Sequence, residues 1–145
     1  MTAIKRSDFR DAVETLLEAQ RVATPTLLRK TARFTPGGLA EKPIAYQGEI
    51  TDELSYDGGE RLRVMTEQVQ VATTFPADTL TDDFDDLADD LVERFTAAYA
   101  IIPNTITELN RIDPSDVGIT STSGETVTYR GMLLTVRLRI WEGRI

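Results

Sequence analysis

The sequence predicts an α+β domain: a mixed, mainly antiparallel β-sheet with two α-helices packed on one face and a long projecting β-hairpin. Two segments carry apolar residues at helical spacing, each with one stripe to bury. Two others alternate about glycine-bearing turns, and hairpins impose antiparallel pairing. Packing both helices on one face of the sheet is the simplest way to bury every stripe.

The first helix is expected to start at Ser7 as cap. Its apolar positions Phe9, Ala12, Val13, Leu16 and Leu17, continuing through Gln20 to Val22, follow the i, i+3, i+4, i+7 rule. Asp8 and Asp11 suit its N-terminal turns, and Thr24-Pro25 should end it. Thr26 to Lys42 has no sustained period and contains the turn cluster Thr35-Pro36-Gly37-Gly38. It reads as a long loop with room for a short strand, exposing Arg29, Lys30 and Arg33 as contact candidates.

Pro43 to Phe75 reads as the oversized hairpin. Its first arm sets Ile44, Tyr46, Ile50, Leu54 and Tyr56 against Gln47, Glu49, Thr51, Glu53 and Ser55, and Asp57-Gly58-Gly59-Glu60 forms the turn. An unbroken arm of this length reaches roughly 40 to 45 Å, against a radius of gyration of about 15 Å for a compact chain of this size. If both arms are continuous, the tip is therefore expected to overhang the domain or lie on another subunit, with Tyr56, Asp57, Arg61 and Arg63 meeting a neighbour. The apolar phase slips between Leu62, Val64 and Val69, Val71, Phe75, which predicts a bulge or break in the return arm.

Thr81 should cap the second helix, whose stripe is Phe84, Leu87, Ala88, Leu91, Phe95, Ala98 and Ile102 before Pro103. Ile106 to Ile112 is expected as a short strand ending in the turn Asp113-Pro114-Ser115-Asp116. A second hairpin, Val117 to Thr122 and Val127 to Trp141, then folds about Ser123-Gly124-Glu125. Its last strand alternates Met132, Leu134, Val136, Leu138 and Ile140 against Leu133, Thr135, Arg137, Arg139 and Trp141. The second face combines Trp with Arg, the composition of interface hot spots, although a core position for Trp141 and Tyr129 is equally open.

The 145 residues suit a single domain, 1–145, with 41% apolar and 28% charged residues. No apolar run is long enough to cross a membrane and no leader pattern follows Met1, so a cytosolic origin with no membrane partner is expected. The chain has neither cysteine nor histidine, which removes disulfides, thiolate chemistry, cysteine–histidine metal sites and the usual general base. A net charge of -8 disfavours a nucleic-acid grip. Asp82, Asp83, Asp85, Asp86, Asp89, Asp90 and Glu93 crowd one helix, while Lys5, Arg6, Arg10, Arg29, Lys30 and Arg33 lie near the start and Arg130, Arg137, Arg139 and Arg144 near the end. That asymmetry is able to orient head-to-side packing of identical subunits.

The acidic pairs Asp82/Asp86, Asp85/Asp89 and Asp86/Asp90 are spaced to share a cation, but they lack the glycine-bearing calcium loop and read as a solvated helix face. Glu49, Glu53 and Glu67 read as residues of a solvated strand face rather than a glycosidase pair. Thr35-Pro36-Gly37-Gly38 lacks the lysine of a phosphate loop. No catalytic, cofactor-binding or metal-binding residue is expected, and the chain is not read as an enzyme.

The order of elements, the acidic amphipathic second helix and the closing Tyr129-Arg130-Gly131 with the strand MLLTVRLRIW resemble tail terminator proteins of long-tailed, siphovirus-type bacteriophages. The resemblance implies an α+β subunit of the virion, assembled in the host cytoplasm into a ring, usually a hexamer. Such a ring caps the tail tube, ends its polymerisation and joins it to the head. The implied partners are further copies of the chain, the major tail tube protein and head–tail connector proteins, with DNA only as passing cargo. Another neck or tail-completion protein, or a small cation- or partner-binding module, is the alternative.

Overall fold

The computed structural model describes residues 4–33, 44–76, 81–98, 101–103, 105–120 and 123–144. The elements are α1 (Arg6–Ala23), β1 (Lys30–Arg33), β2 (Ile44–Asp57), β3 (Glu60–Pro76), α2 (Asp82–Ala97), β4 (Thr105–Thr120) and β5 (Thr126–Arg144). The strands form one sheet in the order β1-β2-β3-β5-β4, with β1 parallel to β2 and every other pairing antiparallel. This is the expected α+β architecture. Phe34 and the cluster Thr35-Pro36-Gly37-Gly38 lie outside the described residues.

Helix α1 buries Phe9, Val13, Leu17 and Gln20, one stripe at steps of three and four. Its cap differs from expectation. The Asp8 carboxylate accepts the Lys5 backbone N–H at 2.8 Å, and Ser7 already lies within the first turn, past the position from which a hydroxyl caps. At the other end the Thr24 N–H donates to the Gln20 carbonyl at 2.9 Å, after which Pro25 has no N–H to continue the ladder. Helix α2 starts as expected, with Thr81 Oγ1 accepting the Phe84 N–H at 3.2 Å, and it buries Phe84, Leu87, Leu91 and Phe95. It ends at Ala97, however, so Ala98 is its C-cap and Ile102 lies outside the helix expected to run to Pro103.

The long hairpin pairs from Ile44↔Ala72 to Asp57↔Glu60 around Gly58 and Gly59, whose φ values of 58° and 82° place both in the left-handed region required by the tight turn. Its irregularity lies in β2 rather than in the return arm. Gln47 faces Val69 and Ile50 faces Glu67, so Gly48 and Glu49 together oppose Gln68. A Cβ at Gly48 would stand 2.8 Å from the Gln68 carbonyl oxygen, so only glycine fits this bulge. The extra residue reverses the alternation: Ala45 and Gln47 face the helices before it, and Ile50 and Asp52 after it. Tyr46 therefore does not share a face with Ile50, Leu54 and Tyr56, contrary to the sequence reading.

Strand β3 is continuous, with register shifts against β5 only near its two ends. The apolar phase slip arises because both of its faces carry apolar residues, Leu62 and Val64 away from the helices and Met65, Val69 and Val71 towards them. Nor do the two arms stand alone, since β5 accompanies β3 as far as Glu60↔Arg144. Strand β4 replaces the predicted short strand, turn and strand. Pro114 pairs with Met132 inside it, and the expected turn at 113–116 is absent because an edge strand tolerates a residue without an N–H.

The core lies between the sheet and the helix layer. Phe9, Val13, Leu17 and Leu28, with Leu87, Leu91 and Phe95 of α2, share one buried cluster with Val69 and Val71 of β3 and Leu134, Val136 and Leu138 of β5. Among the described residues, no helix lies on the opposite sheet face.

Candidate interaction surface

On the helix-free face, β5 presents Leu133, Thr135, Arg137, Arg139 and Trp141, because Met132, Leu134, Val136, Leu138 and Ile140 are drawn into the core. Trp141 is 45% exposed and stands opposite Leu62. Arg139 stands opposite Val64, with Glu108 of β4 at 3.6 Å. Arg137 is half-buried, and its Nε is a buried donor with no hydrogen-bond acceptor. Ile106 pairs with Arg139 from the β4 side. Arg137, Arg139 and Trp141 thus form one patch with Leu62, Val64 and Ile106.

The other candidates lie apart from that patch. Leu54 and Tyr56, on the helix side of β2 beyond Asp52, are 54% and 62% exposed, so the helix layer does not cover them. Arg61 stands opposite Tyr56, and Asp57 closes the ladder opposite Glu60. Arg29 and Lys30 are exposed beside the β1 edge. Arg33 reaches α1, with Asp11 at 2.6 Å and Glu14 at 3.5 Å.

Arg63 is the candidate whose expected outward role does not match its place. Its guanidinium grips Asp52 through Nε at 3.0 Å to both carboxylate oxygens and Nη2 at 2.7 Å, while Nη1 donates to the Ile4 carbonyl at 2.6 Å. The two side chains are only 16% and 11% exposed. The Arg63 hydrogen bonds hold the Asp52 carboxyl below its ordinary range against the opposing effect of burial, and Arg6 at 3.6 Å adds attraction. This is an internal clamp from the hairpin to the start of α1, created because the bulge turns Asp52 inward.

Two further polar groupings were not anticipated. Gln20, fully buried, accepts from Arg94 Nε at 2.9 Å and donates to Thr24 Oγ1 at 3.0 Å, joining α2 to the end of α1. Glu67 is also fully buried beneath α1, bonded to Gln47, so it does not belong to a solvated strand face. Burial pushes its carboxyl up to about 7, against the lowering effects of the Gln47 hydrogen bond and of Arg10 and Arg33. The signal for Glu67 was its place in the alternation Met65, Glu67, Val69, Val71, where every other residue is core. Nothing local marked Gln20 as the acceptor for a residue 74 positions away.

A groove of about 560 Å³ runs between the helices, lined by Leu16, Asp90, Glu93, Arg94, Ala97 and Ala98, and open to solvent. The seven carboxylate residues of α2, Asp82, Asp83, Asp85, Asp86, Asp89, Asp90 and Glu93, are all exposed. Among the described residues, no group of three or more His, Cys, Asp or Glu side chains is arranged to hold a metal ion, and no helix is long and apolar enough to cross a membrane. No protein-family model matches the sequence, and no curated protein matches it either.

Proposed function

We propose that this chain is a structural subunit of a phage tail, forming a ring that caps the tail tube, ends its polymerisation and joins it to the head. The observation that carries the reading is the sheet face away from the helices, where Trp141 is exposed opposite Leu62 of β3 and two residues beyond Arg139 on β5, itself opposite Val64. An exposed Trp set among aliphatic and arginine side chains is the composition of an interface centre. Tyr56 and Leu54 supply a second exposed apolar contact at the hairpin end. The element order, the acidic α2 and the strand after Tyr129-Arg130-Gly131 add the resemblance to tail terminators.

In this reading the partners are further copies of the chain, the tube protein and the head-side connector, and DNA passes through the lumen. The charge distribution is compatible with head-to-side contacts, since α2 carries seven exposed carboxylates on the β4 side of the sheet and Arg29 and Lys30 are exposed beside the opposite β1 edge, where Arg33 is already paired with Asp11 and Glu14. Opposite charges on two different patches favour a heterologous contact, the kind that closes into rings.

The test is negative-stain microscopy and light scattering of the purified protein, alone and with tail tubes. Rings with a central hole that bind tube ends support the proposal. A strict monomer at high concentration that ignores tube ends sinks it, and rings that bind only the head-side connector reassign the subunit to the neck. Trp141→Ala is expected to weaken assembly by roughly 30-fold or more per contact while moving the unfolding midpoint of the monomer by only a few degrees. Loss of folding with assembly retained in the folded fraction contradicts the assignment of Trp141 to the contact.

A further inference from the structure

Glu67 occupies an unusual position for a carboxylate. It lies at the middle of β3, opposite Ile50 of β2 and Val136 of β5, fully buried under α1. Gln47 Nε2 donates to its Oε1 at 2.9 Å and to the Arg10 carbonyl of α1 at 2.7 Å. The Arg10 contact fixes the amide orientation, because a flipped amide would set oxygen against oxygen. Two buried atoms then remain without a partner, Glu67 Oε2 and Gln47 Oε1, and both are acceptors when Glu67 is ionised.

A single hydrogen on Glu67 changes both states. A neutral carboxyl donates from Oε2, and the buried acceptor available on the side chain already bonded to it is Gln47 Oε1. A bond between them would complete a two-bond acid–amide pair whose amide also holds α1. No other side chain on the neighbouring strand positions can substitute for the missing donor, since Ile50 and Val136 are aliphatic. The charged groups facing the site are Arg10 and Glu14 from α1 and Arg33 from β1. Arg33 is itself engaged by Asp11 and Glu14, which limits its value to a carboxylate at Glu67.

We propose that Glu67 and Gln47 form a proton-dependent latch between the sheet and α1, closed while Glu67 is neutral and weakened when it ionises. The sign follows from the burial. The folded state holds the proton more tightly than the unfolded chain, so this contribution to stability is full below the ordinary glutamate value of 4.5 and erodes between there and about 7. Above that range it is lost. In a chain without histidine, a buried glutamate thereby supplies a response near neutral pH.

The experiment compares wild type and Glu67→Gln in urea unfolding at pH 5.5 and 8.5, with carbon-detected NMR titration of the Glu67 carboxyl in the wild type. The wild-type unfolding constant is expected to rise roughly 30-fold more than that of the variant between those pH values. The glutamine is neutral throughout and its amide can donate to Gln47 Oε1. Equal pH dependence in the two proteins overturns the proposal, as does a Glu67 carboxyl that titrates in the ordinary carboxylate range. If the variant does not fold, the wild-type carboxyl titration decides alone.

Discussion

Replacing Arg63 with methionine asks whether this residue serves the fold or a partner. Methionine keeps much of the length and apolar stem but removes the guanidinium, and with it three donor–acceptor contacts to Asp52 between 2.7 and 3.0 Å and one to the Ile4 carbonyl at 2.6 Å. Breaking a fully buried ion pair from one side costs about 3 to 5 kcal/mol, because the remaining charge is uncompensated. Here the side chains retain 16% and 11% exposure and Arg6 stays 3.6 Å from Asp52, so water and a second cation recover part of that loss. The expected net cost is about 2 to 3 kcal/mol. For a chain of this length that lowers the thermal midpoint by roughly 6 to 10 °C.

The assay is urea unfolding of wild type, Arg63→Met, Asp52→Asn and the double variant. If the pair is an internal clamp, the double variant is less destabilised than the sum of the singles, with a coupling of about 1 to 3 kcal/mol. Because Asp52 is held below its ordinary value, the stability from the pair is present above about pH 4 and is lost as pH falls through the depressed folded value. Arg63→Met should remove that acid-side loss. A single-variant cost under about 0.5 kcal/mol, or additive singles, refutes the reasoning and returns Arg63 to the list of partner contacts.

Two further substitutions test local features. Gly48→Ala should cost about 1 to 3 kcal/mol, since its Cβ meets a backbone carbonyl oxygen at 2.8 Å and the bulge must shift. An unchanged unfolding midpoint would show that the bulge is not held there. Thr81→Ala removes the oxygen that accepts the Phe84 N–H and should cost about 1 kcal/mol. Thr81→Ser should recover most of it, and equal loss in the two variants would assign the effect to the methyl group instead.

The helices were legible because their information is local. Phe84, Leu87, Leu91 and Phe95 recur at steps that put them on one side of α2, and Thr81 sits where a hydroxyl caps. The turn Gly58-Gly59 was legible for the same reason, as was the inward face of β5. The start of α1 was misread because Ser7 and Asp8 are adjacent cap formers, and the choice depends on where the chain enters the helix. Pro114 was misread as a turn because its meaning depends on strand position. At an edge its missing N–H costs no ladder bond, and the edge position of β4 is set by the whole sheet order.

By itself, then, the sequence determined the two amphipathic helices, the glycine turns, the alternation of β5 and the lack of histidine and cysteine chemistry. Each depends on residues within a few positions of one another. Only the tertiary structure decided that β1 pairs parallel to β2, that a bulge at Gly48 turns Asp52 and Ile50 inward, and that Arg63 faces Asp52 and Ile4. It also decided that Glu67 lies buried against Gln47 beneath α1. In a strand, one extra residue exchanges the two faces for everything beyond it. The assignment of each side chain to core, clamp or open surface therefore depends on register with strands distant in sequence, which local alternation does not contain.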